Sequence, residues 1–121
     1  MSNCVRGIRG AINVDKNSTE DILSATRELL QRIVEENEIK KEDIAAVFFS
    51  TTSDLNAAFP AQAARQLGWH DVPLFCSQEI DVPNSLPLCI RILMLVNTVK
   101  KQSEIIHIYL RGASKLRPDL S

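Results

Sequence analysis

The clearest hydrophobic pattern in the chain begins after Ser18. Side chains suited to a core recur there every three or four positions, at Ile22, Leu23, Thr26, Leu29, Leu30, Ile33 and Val34. This spacing places them on one face of an α-helix and leaves charged side chains on the other face. Ser18 is a favoured N-cap residue, and the acids Glu20 and Asp21 lie near the positive end of the helix dipole. The pattern predicts an amphipathic helix that begins at this cap.

Four other stretches have the pattern of β-strands. Residues 4–14 carry spaced aliphatic side chains with Gly7 and Gly10 between them, which predicts a strand that bends or lies close to another backbone. Residues 44–49 are continuously apolar, as expected of a central strand that is covered on both faces. Residues 72–80 predict the next strand. Residues 106–110 alternate apolar and polar side chains, which predicts a last strand with one buried face.

Two further helices complete the predicted elements. Pro60 suits the first turn of a short helix over residues 61–67, which Gly68 would close. Asn84 or Ser85 suits the N-cap of a second long helix, with residues 88–96 as its body. Strands and helices that alternate with short connections predict an α/β or α+β fold in which helices pack on one side of a mixed β-sheet.

Composition narrows the classes of protein. The chain has 121 residues, which suits a single domain over residues 1–121, and its last part, residues 113–121, has no periodicity and is a candidate mobile tail. Hydrophobic residues make up 45% and charged residues 24%, as is usual for a soluble globular protein. The formal net charge is −1 and no basic stripe appears, which argues against a nucleic-acid partner.

The cysteines and the apolar runs indicate the compartment. Cys4, Cys76 and Cys89 form no close pair in the sequence, which favours free thiols in a reducing environment. The N-terminus lacks the apolar segment of a signal peptide, and Arg91 interrupts the longest apolar run, residues 89–96, which is far too short to span a membrane. We therefore expect a cytoplasmic protein with no membrane partner.

Several kinds of catalytic site are excluded by the residues present. The chain has only His70 and His107, and its cysteines are far apart, so no metal-ligand spacing appears. It has no glycine-rich phosphate loop and no G-x-S-x-G nucleophile motif. His107 lies between two isoleucines on the opposite strand face and is expected to be a solvated or boundary histidine.

Arginines with apolar neighbours remain as candidate binding groups. Arg91 lies in the run LCIRIL, where a buried guanidinium needs a carboxylate from Glu79, Asp81 or a ligand. Arg9 and Arg65, each taken alone, have the pattern of solvated arginines, and Tyr109 that of an aromatic residue at a rim. Because arginine binds carboxylates in a planar, bidentate geometry, several arginines and one acid predict a pocket for a small ligand with more than one negative charge. The residues alone leave the reaction open.

Several segments resemble the monofunctional chorismate mutases of the trimeric pseudo-α/β-barrel family. They occur in the order and at the spacing of that family from residue 5 to the C-terminus, and together they cover nearly the whole chain. Besides Arg65, the matching stretches are residues 5–11 (VRGIRGA), 54–55 (DL), 59–61 (FPA), 76–82 (CSQEIDV), 89–91 (CIR), 109–110 (YL) and 116–120 (LRPDL).

The resemblance implies a homotrimer with each active site in a cleft between neighbouring subunits. One subunit would supply Arg9, Cys76, Glu79, Arg91 and Tyr109. Its neighbour would supply Phe59, Ala61 and Arg65. The pocket would be lined by Leu74 and Phe75, and a tail with Leu116 and Arg117 would close over the entrance.

The resemblance also implies the chemistry, a pericyclic rearrangement of chorismate to prephenate in aromatic amino-acid biosynthesis that needs no metal, cofactor, nucleophile or proton transfer. Arg91 would place positive charge at the ether oxygen of the breaking bond, while Arg9 and Tyr109 would bind the side-chain carboxylate. Arg65 would add positive charge opposite the dianion. Ionised Glu79 would hold the ring hydroxyl together with Cys76.

Two positions depart from the family pattern. Gln62 stands where the family usually has a lysine near the cleft, so we expect weaker long-range attraction of the substrate with the chemistry retained. The segment after Arg65, residues 66–69, is one residue shorter than the common pattern, which affects the reach of that arginine. Cys4 and Cys89 are interpreted as packing residues.

Two other functions remain open from the sequence. Small enamine/imine deaminases also use an inter-subunit cleft with an arginine in a trimer, although the combination of Arg9, Arg91 and Glu79 argues against them. A non-catalytic trimer that senses an aromatic-pathway carboxylate would use the same arginines without turnover. Loss of chorismate and activity on imines are the assays that separate the three.

Overall fold

The computed structural model describes residues 3–116. Five strands and two α-helices follow one another as β1 (Cys4–Asn13), α1 (Thr19–Glu36), β2 (Ile44–Thr51), α2 (Ala61–Gln66), β3 (Leu74–Gln78), β4 (Cys89–Thr98) and β5 (Ile108–Leu110). Short 3₁₀ helices form at Lys41–Asp43, Gln102–Glu104 and Arg111–Lys115. Residues 117–121, which include Arg117 of the site predicted from the sequence, lie outside the described residues.

The strands form one mixed sheet in the order β3-β2-β4-β1-β5. The central strand β4 is antiparallel to both of its neighbours, β1 and β2. The outer strands are added in parallel, β3 beside β2 and β5 beside β1. The predicted mixed sheet with helices on one side is therefore confirmed.

Helix α1 forms as the periodicity predicts. The Ser18 hydroxyl accepts a hydrogen bond from the backbone N–H of Asp21 at 3.1 Å, which satisfies one of the free donors of the first turn. Leu29, Leu30 and Ile33 of its apolar stripe are fully buried in the main core. The short helix α2 also forms, and Gly68 follows it at φ +85°, a left-handed conformation that favours glycine.

The second long helix that the sequence predicts over residues 84–96 is wrong, because this segment is strand β4. The side chains of Ile90, Ile92, Met94 and Val96 are buried at a spacing of two, which is the strand period. The intervening positions include Leu93 and are also largely apolar, so the sequence has no clear alternation from which to separate strand from helix. Pairing with β1 and β2 along its length fixes β4 as the centre of the sheet.

The other strands differ from the prediction mainly in how many of their faces are buried and in their length. Strand β2 has only one covered face in this chain, because Val47 and Phe49 are buried whereas Phe48 between them is 41% exposed. The pairing of β2 with β4 also shifts register between Ile44 and Ala46, which indicates a β-bulge at Ala45. Strands β3 and β5 are shorter than the sequence segments that predict them.

The two faces of the sheet therefore have different surroundings. The face that packs on α1 and α2 is here called the covered face, and its side chains form the main hydrophobic core. The opposite face is called the open face. Because side chains alternate along a strand, the open face carries the intervening residues. They are Val5, Arg9, Ala11, Phe48, Ser50, Phe75, Ser77, Arg91, Leu93 and Tyr109.

Among residues 3–116, no helix is both long enough and apolar enough to cross a membrane. The described cysteines are all free thiols, as predicted. Cys89 is buried and serves in packing, whereas Cys4 at the start of β1 is exposed, so the interpretation of Cys4 as a packing residue is wrong.

Candidate active site

Arg91 and Glu79 form an ion pair at the carboxyl-terminal side of β3. The Arg91 Nε atom lies 3.5 Å from Glu79 Oε2, and the two side chains are 43% and 29% exposed. The sequence predicts that Arg91 faces a carboxylate, and within residues 3–116 Glu79 is that carboxylate. Glu79 follows β3, and its backbone N–H donates to the carbonyl of Thr51 at 2.8 Å, which extends the parallel pairing by one residue.

The guanidinium of Arg91 is not fully satisfied by this contact. Its Nε atom is buried and has no hydrogen-bond partner among the described residues, although it lies within ion-pair distance of Glu79. A buried donor without a partner is unfavourable unless another group supplies an acceptor. Since the side chain is partly exposed on the open face, a ligand carboxylate or ether oxygen can reach the guanidinium there.

Cys89 packs beside Arg91 as a neutral thiol. It belongs to a small cluster on the open face with Ala11 and Ala113, against which Tyr109 and Leu116 also pack. Burial raises the pKa of the Cys89 thiol, and the nearby Arg91 guanidinium opposes this shift only in part. The thiol therefore fills space beneath Arg91 and does not compete with Glu79 as a negative partner.

Strand pairing brings Tyr109 and Arg9 to the same face as Arg91. Ala11 on β1 pairs with Arg91 on one side and with Tyr109 on the other. Strands lie about 4.8 Å apart, so the backbones of Arg91 and Tyr109 are roughly 10 Å apart, a span that suits a small ring-containing ligand. Arg9 lies two residues before Ala11 on the same face and is half-buried. Its backbone N–H donates to Nδ1 of His107 at 2.9 Å, which gives His107 a structural contact.

The segment after β5 contributes Leu116 to this side of the sheet. Ala113 is buried within the last 3₁₀ helix, and Leu116 packs against the cluster that contains Cys89. Phe75 also lies on the open face and is 61% exposed, with its ring edge-to-face against Phe48 at a centroid distance of 6.3 Å. Arg9, Arg91, Glu79, Tyr109, Phe75 and Leu116 are therefore distributed over one side of the sheet.

A second group of sequence-predicted residues lies elsewhere. A cavity of about 620 Å³ opens beside β3, and its lining includes Phe59, Cys76, Gln62 and Gln78. Cys76 and Leu74 pack toward the covered face, in contrast to Phe75 between them. Ala61 is buried in the first turn of α2, and Arg65 is exposed on the same helix. Arg9, Arg91 and Tyr109 are not among the residues that line this cavity, although Ser77 of the open face is.

Two residues that the sequence does not single out for a role support Arg91. The Ser50 hydroxyl donates to Glu79 Oε2 at 2.7 Å. Asp54 accepts from the backbone N–H of Leu88 at 3.0 and 3.2 Å through its two carboxylate oxygens. Leu88 has φ 51°, a left-handed conformation that is unfavourable for leucine, so the Asp54 contact holds the start of β4. Asp54 lies within a matching stretch of the sequence, but its partner is visible only in the fold.

No group of three or more histidine, cysteine, aspartate or glutamate side chains that could hold a metal ion occurs within residues 3–116. The arrangement instead offers fixed positive charge, one carboxylate and apolar surface. These features define an α+β protein with a site whose charges suit a small anion and electrostatic stabilisation of a reaction on it.

Comparison with known proteins identifies the family. The model of the family "Chorismate mutase type I" matches residues 5–120, and the chain belongs to this family. The chain is 55% identical to chorismate mutase AroH of Thermus thermophilus over 117 residues, which are 96% of each chain. It is 49% identical to chorismate mutase AroH of Bacillus subtilis over 118 residues, covering 97% of this chain and 93% of that protein.

A solved structure confirms the fold. Chorismate mutase from Clostridium thermocellum superposes with a TM-score of 0.89 at 47% identity, covering 90% of this chain and 97% of that chain. The resemblance stated from the sequence is thus confirmed, and the chain is a chorismate mutase, an isomerase of aromatic amino-acid biosynthesis that acts on chorismate. The comparisons do not favour the deaminase or the sensor.

Proposed function

We propose that this protein converts chorismate to prephenate in the cytoplasm at sites shared between the subunits of a homotrimer. The observation that carries the proposal is Arg91, whose buried Nε lies beside Glu79 while the rest of the side chain reaches the open face. The comparisons supply the substrate, and the geometry supports the roles of the residues that follow.

The separation of the two residue groups supports an inter-subunit site. The open face carries Arg9, Arg91 and Tyr109, and the cavity with Phe59 and Cys76 opens elsewhere in the chain. A second copy that packs its cavity against the open face would complete one site from two incomplete halves.

Exposed apolar residues on the open face support association. Val5, Phe48, Phe75 and Leu93 are all large apolar side chains that are at least 41% exposed in the single chain. Large apolar side chains exposed together on one sheet face are typical of a protein–protein interface. A closed ring of three copies would cover the patch and produce three equivalent sites.

Catalysis in such a site would come from positioning and fixed charge. The substrate must fold so that its enolpyruvyl arm lies over the ring, and a pocket that holds this compact conformer provides a proximity effect. Electron density develops on the ether oxygen as the bond breaks. A guanidinium already aimed at that oxygen stabilises the transition state more than the ground state, which is the role we assign to Arg91.

The remaining residues would hold the substrate. Arg9 and Tyr109 would bind the side-chain carboxylate, and Arg65 of the neighbouring subunit would add positive charge opposite the dianion. Glu79 would accept a hydrogen bond from the ring hydroxyl while it orients Arg91. Ala61, Leu74 and Phe75 would supply apolar surface, and Leu116 with Arg117 would close the entrance.

The direct test follows the loss of chorismate absorbance with purified protein in the presence of a chelator, with prephenate identified as the product. Rapid loss is expected. Chorismate that binds but is not consumed would contradict the proposal and favour a sensor, and neither loss nor binding would direct attention to imine substrates.

The shared site is tested by mixing two impaired variants. Arg91→Lys and Arg65→Ala each damage a different half of the proposed site, so trimers refolded from an equal mixture should regain activity. If subunits mix at random, about a quarter of the sites have both arginines intact. Refolding each variant alone is the control. No recovery in mixed trimers, or a monomer at micromolar concentration by sedimentation velocity, would contradict an inter-subunit site.

A further inference from the structure

Ser50 is a polar residue at the site to which neither the sequence nor the comparisons give a role. Its hydroxyl Oγ donates to Glu79 Oε2 at 2.7 Å. The same carboxylate oxygen lies 3.5 Å from Arg91 Nε. Ser50 therefore acts on the one oxygen that joins the acid to the arginine.

The sheet places Ser50 between the two charged residues. In the antiparallel pairing of β2 with β4, Ser50 lies directly opposite Arg91. In the parallel pairing of β2 with β3, it lies opposite Ser77, two residues before Glu79. Paired positions share a sheet face, so the Ser50 hydroxyl is directed to the open face beside the guanidinium. Its position is set by two strands and not by a loop.

The Glu79 side chain has few other constraints. Its backbone N–H is bound to Thr51, but this bond holds the main chain and does not set the rotamer of the side chain. Within residues 3–116, Ser50 is the sole hydrogen-bond donor to the Glu79 carboxylate, since Arg91 Nε contacts it only at ion-pair distance. Glutamate has three rotatable side-chain bonds, so an unrestrained carboxylate would occupy several rotamers.

We propose that Ser50 is a positioning residue that holds the Glu79 carboxylate in the rotamer that orients Arg91. The inference rests on the proposed function, because Glu79 and Arg91 are its catalytic pair. Without the hydroxyl, Glu79 would spend part of its time away from Arg91 Nε, and the guanidinium would be less well aimed at the ether oxygen. Preorganisation of that kind affects turnover more than substrate binding.

The first measurement compares Ser50→Ala with Ser50→Thr. Hydrogen bonds to charged groups are stronger than those between neutral groups. Loss of the bond to Glu79 in Ser50→Ala is therefore expected to lower kcat by roughly tenfold and to change KM by less than about twofold. Ser50→Thr keeps a hydroxyl and should recover most of the turnover. The matched control is Ser85→Ala, because the Ser85 hydroxyl also makes a 2.7 Å hydrogen bond, to the carbonyl of Val82 in an exposed loop. This control should behave as wild type.

The deciding measurement is a double-mutant cycle with Glu79→Gln. If Ser50 acts through the carboxylate, Ser50→Ala should have little further effect on kcat once Glu79 is replaced. A purely structural role would lower kcat by the same factor in both backgrounds and would also lower the midpoint of thermal unfolding. Equal factors in the two backgrounds, or an unchanged kcat for Ser50→Ala, would overturn the role of Ser50 alone. A wild-type protein that does not consume chorismate would overturn the proposed function together with it.

Discussion

The two faces of the same sheet carry different properties of the protein. On β4, Ile90, Ile92, Met94 and Val96 point to the covered face and are all at most 3% exposed. Their neighbours on the open face include Arg91 and Leu93, both partly exposed. The covered face is filled with aliphatic side chains that stabilise the fold, and the open face carries the charges and the apolar surface available for binding. One strand therefore serves stability and function on alternate residues.

Replacing Met94 by alanine is expected to have the largest effect on stability. Its side chain is fully buried, and its removal leaves a cavity in the core. Such substitutions lower the free energy of unfolding by about 2–5 kcal/mol. The matched variant is Leu93→Ala, one residue away on the open face, which should affect subunit association more than unfolding. Urea unfolding at a fixed protein concentration measures the first effect, and sedimentation measures the second. Equal losses of unfolding free energy would remove the distinction between the faces.

Replacing Arg91 by lysine should have the largest effect on activity. Lysine keeps the positive charge but loses the planar guanidinium, so we expect turnover to fall by roughly 10²-fold or more, or about 2.7 kcal/mol in activation free energy. The thermal midpoint should change little because the side chain is partly exposed. Arg32→Lys, at an exposed position of α1, is the control and should retain full turnover. Near-normal turnover of Arg91→Lys would contradict the assignment of Arg91 as the donor.

Two glycines on β1 sharpen the comparison further. A Cβ at Gly10 would lie 2.8 Å from Ile33 Cδ1 and 3.2 Å from the carbonyl of Ile108, closer than side chains pack without a shift. Gly10→Ala on the covered face should therefore cost about 1–3 kcal/mol of unfolding free energy. At Gly7 on the open face, the nearest atom would be Leu93 Cδ1 at 3.4 Å, an ordinary contact. Gly7→Ala should change stability by less than about 0.5 kcal/mol, and thermal unfolding of both variants checks the difference.

The smallest expected effect concerns thiol reactivity. Burial raises the pKa of the Cys89 thiol, so at pH 8 a smaller fraction is thiolate than for an ordinary cysteine, and the side chain is also shielded. Cys4 is exposed at the start of β1. Alkylation with iodoacetamide at pH 8, followed by peptide mass spectrometry, should modify Cys4 first and leave Cys89 for last. Rapid labelling of Cys89 in the folded protein would contradict its assignment as a buried neutral thiol.

The sequence predicts correctly those helices and strands that have one apolar face and one polar face. Helix α1 is predicted because its apolar stripe, its N-cap Ser18 and its acidic first turn agree. Strand β4 is predicted wrongly as a helix because apolar residues occupy both of its faces, so the strand period is hidden. The open face of β4 carries apolar residues such as Leu93 that are not part of the main core of this chain.

The site is predictable to a different extent. The arginines and Glu79 stand out because charged residues with apolar neighbours require partners, and the resemblance to a family gives them roles. Ser50 and Asp54 do not stand out, because both follow the apolar run of residues 44–49, where the sequence predicts the strand to end, although the structure has Ser50 within β2. Their importance depends on the register between strands, which no local pattern specifies.

The bulge at Ala45 has a consequence for how the chain tolerates changes in length. Ile44 and Val47 both point to the covered face although they are three residues apart. Their partners Val96 and Met94 are only two apart, because Ala45 is an extra residue on β2. Deletion of Ala45 would leave a strand of regular alternation, with Ser50 still opposite Arg91. A change of one residue in length at the bulge therefore does not alter the pairing of β2 with β4 at the site. Natural variants that lose one residue there should keep Arg91 and Glu79 as an intact pair.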